Sequence, residues 1–317
     1  EKRFVIELFA RSPGMREAVS LAERVSSTDA NVLITGESGA GKDLLATYIH
    51  SKSRRSLQPL TKIDCATLPA ELLEAELFGY ERGAFTGAVD AKAGRFEAAD
   101  KGTVVLDEIA HLSTDAQAKL LRVIERREFE RLGGRKTIKL DARVIALTNV
   151  DLDAAVKNGR FREDLFYRLN VIPFELPPLR ERLEDVPLLV DYFNQQFSKA
   201  YGKKPKQFLP EAVEAMQSYL WPGNVRELRN TIERVVIMQP GTKVSASDLP
   251  PQGKEEPPAA SFRFPSFKEA TEAYHREFIQ RKLEEAEGNV SRAAELMGVD
   301  RSHLYRRMRA LGIQNRS

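Results

Sequence analysis

Asn31-Val32-Leu33-Ile34-Thr35-Gly36-Glu37-Ser38-Gly39-Ala40-Gly41-Lys42-Asp43-Leu44-Leu45 begins as a short apolar run, breaks into glycines and continues as a helical pattern to His50. The spacing is Gly, four residues, then Gly-Lys. Glycines at these places let backbone N–H groups turn inward as an anion cradle, and the N-terminus of the helix that follows adds positive potential. Gly36, Glu37, Ser38, Gly39, Ala40, Gly41, Lys42 and Asp43 are therefore candidates for binding a nucleoside triphosphate, with Lys42 reaching the β- and γ-phosphates. The competing reading is a flexible strand-to-helix turn. Asp43 stands where the general motif places a Ser or Thr to ligate Mg²⁺.

Further along, Val104-Val105-Leu106-Asp107-Glu108 ends an apolar run in two carboxylates. Parallel α/β sheets put their ligands at the carboxyl ends of the strands. Asp107 is suited to hold Mg²⁺ through water, and Glu108 to orient or deprotonate an attacking water. An isolated acidic pair would more simply cap a helix. Thr148-Asn149 ends another apolar run, so Asn149 is a candidate to polarise that water or feel the γ-phosphate, with a plain turn as the alternative. Phosphoryl transfer also calls for an arginine. Arg162 and Arg168 lie six apart on a helical stretch, and spacing alone does not separate catalytic from salt-bridging roles.

The runs Val32–Ile34, Thr103–Leu106, Arg143–Leu147 and Val171–Phe174 alternate with helical patterns such as Leu44–His50 and Thr114–Glu128. Short Val- and Ile-rich runs between helices point to an α/β fold with a buried parallel sheet, over residues 1–177. After Pro177-Pro178 the patterns of 185–200, 210–220 and 225–238 read as helices, giving a helical lid over 178–249. Residues 250–265 are Pro-rich and read as a linker. Ser266 and Glu269 then read as a capping box that opens a small all-helical unit over 266–317.

That last unit carries Gly288-Asn289-Val290-Ser291-Arg292-Ala293-Ala294-Glu295-Leu296-Met297-Gly298-Val299-Asp300-Arg301, the form of a helix-turn-helix. Asn289 and Asp300 can cap its two helices, Gly298 permits the turn, and Ala293, Leu296, Val299 and Leu304 supply the seam. The second helix would enter the major groove of double-stranded DNA, with Arg301, Ser302, His303, Arg306, Arg307 and Arg309 as contact candidates. A structural helical hairpin is the alternative. Charge favours DNA: residues 301–317 hold five arginines and no acid, whereas the first 300 residues hold 44 basic and 46 acidic side chains. The net charge of +3 conceals that division.

With 317 residues, 42% apolar and 30% charged, the chain can bury a core, which excludes disordered, fibrous and collagen-like classes. Its single cysteine, Cys65, precludes an intrachain disulfide, and four scattered histidines offer no zinc spacing. No apolar run approaches the roughly 18 residues a bilayer span requires, and no signal peptide is evident. A cytoplasmic location and no membrane partner are expected. Lacking Met at position 1, the chain is expected to be part of a longer one.

Gly36 to Asp43, the string Gly83-Ala84-Phe85-Thr86-Gly87-Ala88, Phe161 to Asn170 and Trp221-Pro222-Gly223-Asn224-Val225-Arg226-Glu227-Leu228 together resemble the signature set of bacterial enhancer-binding proteins, the AAA+ activators of sigma-54 RNA polymerase. The C-terminal segment resembles the Fis-type DNA-binding domain of the same activators. The resemblance implies ATP and Mg²⁺ as cofactors, with the metal on phosphates, water and Asp107. It implies Asn149 as first sensor, Arg226 as second sensor, and Arg162 and Arg168 as arginine fingers that enter a neighbouring subunit. Gly83 to Ala88 becomes the loop that engages sigma-54, Leu132-Gly133-Gly134 a second pore-side loop, and the assembly a homo-oligomeric ring, typically a hexamer, whose C-terminal domains pair on enhancer DNA.

Three residues depart from the family pattern: Ala10 for Gly, Ala40 for Thr, and Asp64 for an Asn that hydrogen-bonds the catalytic Glu. An ionised Asp64 has no proton to donate to Glu108. A regulator that uses ATP binding only as an oligomerisation switch, and a different AAA+ remodeller, are the rival readings; the Gly83 to Ala88 string speaks against the second.

Overall fold

The computed structural model describes residues 10–249 and, in the C-terminal segment, residues 279, 282, 283, 286, 289–297, 301, 304, 308 and 311. The chain divides into two compact units, residues 1–250 and 251–317.

In the first unit, helix α1 (Pro13–Ser26) precedes strand β1 (Val32–Thr35), helix α2 (Lys42–Ser51), strand β2 (Leu60–Asp64) and helix α3 (Ala70–Phe78). Strand β3 (Thr103–Asp107), helix α4 (Thr114–Arg126), strand β4 (Arg143–Thr148), helix α5 (Glu163–Leu169) and strand β5 (Ile172–Glu175) follow. The five strands form one parallel sheet in the order β2-β3-β4-β1-β5. Their side chains alternate between two cores. Leu33, Leu106, Val144 and Ala146 face α3, α4 and α5, whereas Ile34, Val105, Ile145 and Leu147 face α1 and α2. Each fully buried Val, Leu or Ile contributes roughly 1.5–3 kcal/mol.

The four apolar runs of the sequence are β1, β3, β4 and β5. The fifth strand, β2, lies at an edge with only Ile63 buried, so its sequence carries no continuous apolar run. A second difference concerns the pattern from Thr114 to Glu128. The helix ends at Arg126 because Arg127 turns to φ +57°, and Glu128–Glu130 pairs antiparallel with Thr137–Lys139. At the start of β4, the buried Arg143 donates to the carbonyls of Val25 and Ser26 at the end of α1 and of Ala30, a favourable place for a cation.

The lid packs helices α6 (Val186–Ala200), α7 (Pro210–Gln217) and α8 (Asn224–Met238) around buried Trp221, whose indole N–H donates to Met216 O at 2.7 Å.

In the second unit, helix α9 (Val290–Leu296) is capped by Asn289, whose Oδ1 accepts the N–H groups of Ser291 and Arg292 at 3.1 and 3.2 Å. Ile279, Leu283, Ala286, Val290, Ala293, Ala294, Leu304, Met308 and Leu311 form its core. The linker 250–265, the capping box at Ser266 and Glu269, and Gly298, Val299 and Asp300 lie outside the described residues. Among the described residues no helix is long and apolar enough to cross a membrane.

Candidate nucleotide site

The glycine loop leaves β1 and enters α2 with Gly36, Gly39 and Gly41 all at positive φ, a backbone path that side chains with a Cβ rarely follow. Lys42 is buried, and its Nζ donates to Gly36 O at 2.8 Å and Glu37 O at 3.2 Å. Desolvation lowers its pKa, while the charges of Glu108 and Asp107 act in the opposite direction. The Asp43 carboxylate pairs with Lys62 of β2 at 2.5 Å, and the same ammonium reaches Thr47 Oγ1 at 2.9 Å.

Asp107 ends β3 half-buried, and burial, together with the charges of Glu108 and Asp64, raises its pKa. Its Oδ1 accepts the Glu108 N–H at 3.0 Å. Glu108 adopts φ +53°, uncommon for a residue with a side chain, and its Oε2 accepts the backbone N–H of Asn149 at 3.3 Å. Asn149 therefore meets the catalytic candidate through its main chain. Asp64 stands in register with Asp107 across β2 and β3, and its Oδ1 closes its own turn by accepting Ala66 N–H at 2.9 Å. Beside it the Cys65 thiol is buried and pushed up to about 12 by desolvation and the nearby carboxylates.

The lid rests on the loop. Arg226 Nη1 donates to Ser38 Oγ at 2.8 Å, and Val225 N–H donates to Gly39 O at 3.1 Å. Asn224, buried at φ +53°, donates from Nδ2 to Glu37 Oε2 and Ser38 O and accepts Leu179 N–H. Arg180 forks onto Glu37 at 2.7 and 2.9 Å, and these bonds hold the Glu37 carboxyl down to about 2. A Cβ on Gly39 would stand 2.5 Å from Gly223 O, so only glycine allows this approach. Clefts of about 660 Å³, reaching Gly36, Glu37 and Arg180, and about 540 Å³, reaching Ser38, Gly223 and Arg226, flank the contact.

Arg162 and Arg168 do not reach this site within one chain. Arg162 forks onto Asp164 at 3.0 and 2.7 Å, and Arg168 pairs with Glu125 at 2.8 Å. Buried Gln117 holds the segment in front of α5, accepting Arg162 N–H and donating to the carbonyls of Leu112 and Arg160.

Gly83 to Ala88 forms a tight projection closed by Gly83 N–H to Ala88 O at 2.9 Å. Phe85 is 42% exposed, with its ring edge-on to Tyr80 at 5.0 Å, and Thr86 is exposed beside it. At its base Glu81 N–H donates to Leu132 O, and Gly133 lies against Ala84. In the second unit Arg301 is exposed, whereas Ser302, His303, Arg306, Arg307 and Arg309 lie outside the described residues.

Asn224, Arg180, Lys62 and Gln117 gave no individual signal in the sequence. Asn224 sits inside the Trp221 to Leu228 string, but its loop partners Glu37 and Ser38 are nearly 190 residues away. The donor set fits a triphosphate with a divalent cation. A buried ammonium faces two carboxylates, the space off Gly41 is open to 4 Å, and Asp107 has one oxygen engaged by a backbone N–H.

Residues 8–175 match the sigma-54 interaction domain, 180–263 the AAA+ ATPase lid domain, and 275–311 the Fis family of bacterial regulatory proteins. The chain is 46% identical over 312 residues to the regulatory protein AtoC of Escherichia coli (strain K12), covering 96% of this chain and 68% of AtoC. It is 44% identical over 310 residues to the nitrogen fixation protein AnfA of Azotobacter vinelandii, covering 98% of this chain and 58% of AnfA. The crystal structure of NtrX from Brucella abortus in complex with ADP matches with a TM-score of 0.76 at 38% identity, covering 98% of this chain and 70% of that one. NtrX in complex with ATP matches with a TM-score of 0.75.

Proposed function

The chain belongs to the sigma-54-dependent transcriptional activators, with an AAA+ P-loop ATPase fold and a Fis-type helix-turn-helix, and we propose that it hydrolyses ATP in a ring of subunits to remodel the sigma-54 polymerase closed complex from enhancer DNA. The observation that carries the reading is the meeting of Lys42, Asp107 and Glu108 at the strand ends beneath a lid whose Arg226 already touches the loop.

In this mechanism the loop N–H groups and Lys42 bind the phosphates, which displaces the Lys42 ammonium from the Gly36 and Glu37 carbonyls. Mg²⁺, when bound, neutralises developing charge on the phosphates, and Asp107 is the residue that would hold it. Glu108 orients the attacking water and draws off its proton, with its carboxylate steadied by the Asn149 N–H. Arg226 reports closure of the lid. Arg162, half-buried, and Arg168, exposed, are held by carboxylates of their own chain and exchange those partners for the phosphates of a neighbouring subunit. A trans-acting arginine is worth about 10³ to 10⁵ in rate. Phe85 and Thr86 present an apolar ring and a hydroxyl to sigma-54, and Arg301 with its neighbours reads the DNA.

Hydrolysis measured against protein concentration tests the shared site. Activity per subunit rises with concentration if arginines cross between subunits, and a flat profile overturns the reading. A Thr86→Ala variant is expected to hydrolyse ATP while losing activation of a sigma-54 promoter.

A further inference from the structure

Asp185 is 0% exposed, and it is the one carboxylate in the buried class among the described residues. An ionised carboxylate survives burial only when hydrogen bonds replace its water. Here all three donors come from the strap that leads into α1. Oδ1 accepts the N–H groups of Arg11 and Ser12, and Oδ2 accepts the Ser12 hydroxyl, each at 2.9 Å. These contacts bridge more than 170 residues of sequence.

The same turn carries a buried cation. Asp185 N–H donates to Arg182 O at 2.9 Å, and the Arg182 guanidinium points the other way, donating from Nη2 to Ala40 O of the phosphate loop at 2.5 Å. Arg182 is buried, and its Nε has no hydrogen-bond partner among the described residues. The charge of Asp185 supports the ionised guanidinium against desolvation. One short turn therefore grips the strap with its carboxylate and the phosphate loop with its guanidinium. The clamp of Arg180 and Asn224 on Glu37 and Ser38 involves no described strap residue.

We propose that Asp185 and Arg182 are positioning residues that join the lead-in strap to the phosphate loop, so that engagement of the strap sets the affinity of the loop for ATP. A partner or chain segment that pulls on Arg11 and Ser12 withdraws donors from Asp185, unsettles Arg182 and loosens Ala40. Coupling is reciprocal: a filled phosphate loop holds the strap more tightly. The inference rests on the reading of the loop as an ATP site.

The test measures ATP affinity and saturated turnover in wild type, Ser12→Ala, Asp185→Asn and the double variant. Amide hydrogen exchange at Arg11 and Ser12 is followed with and without ADP. Asp185→Asn is expected to weaken ATP binding about tenfold, within the usual range of coupling between sites, while kcat at saturating ATP changes less than about twofold. The double variant should be no weaker than Asp185→Asn alone, since both act through one contact. ADP should slow exchange at Arg11 and Ser12 in wild type and fail to do so in Arg182→Ala. Wild-type affinity in Asp185→Asn, with only its thermal stability reduced, overturns the proposal. If Asp185→Asn does not fold, Ser12→Ala decides, because it removes one of three bonds: unchanged ATP affinity and unchanged exchange there also overturn it. Failure of the wild type to bind ATP would instead overturn the nucleotide reading.

Discussion

At the scale of single residues, the site is held by charged groups whose ionisation is set by named neighbours. Glu37 is held down to about 2 by Arg180 and Asn224, below the ordinary 4.5 of a glutamate. A depressed carboxyl contributes its stabilisation above the unfolded value and loses it as pH falls toward the folded one. The excess stability of wild type over Glu37→Gln should therefore be constant above about pH 5 and shrink between about pH 4.5 and 2, as read by urea midpoints across that range. Cys65, with its thiol pushed up to about 12, should resist an aromatic disulfide reagent at pH 8 in the folded protein and react once urea unfolds it. Rapid modification of the folded chain would contradict the burial of that side chain. The glycine loop, Lys42, Asp107 and Glu108 were legible because their chemistry depends on local spacing. Lys62, Arg180 and Asp185 were not, because each acts on a partner that no local pattern connects to it.

Among the elements, burial decided what the sequence revealed. Strands β1, β3 and β4 are covered on both faces and read as continuous apolar runs. Strand β2 exposes Lys62 and Asp64 on one face and escaped notice. The end of α4 was hidden because Arg127 has no special sequence mark for its left-handed turn. Asn289 was legible as a cap from the residues around it, and the structure gives it two N–H partners. Asn289→Ala should cost the second unit about 1 kcal/mol, the usual value of a helix N-cap, seen as a lower melting transition for that unit and not for the first. Gly133 is packed against Ala84, where an added Cβ would stand 2.9 Å from the main chain. Gly133→Ala should leave ATP affinity intact and displace the Gly83 to Ala88 loop, lowering sigma-54 binding; unchanged binding would show that the two loops are independent.

For the molecule as a whole, Arg162 and Arg168 pair with carboxylates of their own chain, and the proposed mechanism has them serve the site of a neighbouring subunit. Lys42→Ala and Arg162→Ala chains should each be inactive alone and recover part of the activity when mixed, because mixed rings contain some sites with both residues. Absence of recovery would place both residues in one subunit's site. The order β2-β3-β4-β1-β5 has a further consequence during synthesis. Val32 of β1 finds its neighbours at Ile145 and Ile172, so an apolar strand made early has no partner until residues far downstream leave the ribosome. At 5–20 residues per second the delay is on the order of ten seconds. Through that interval Val32, Leu33 and Ile34 are open to pairing with other nascent chains, which makes the newborn protein a client for chaperones before it is a regulator.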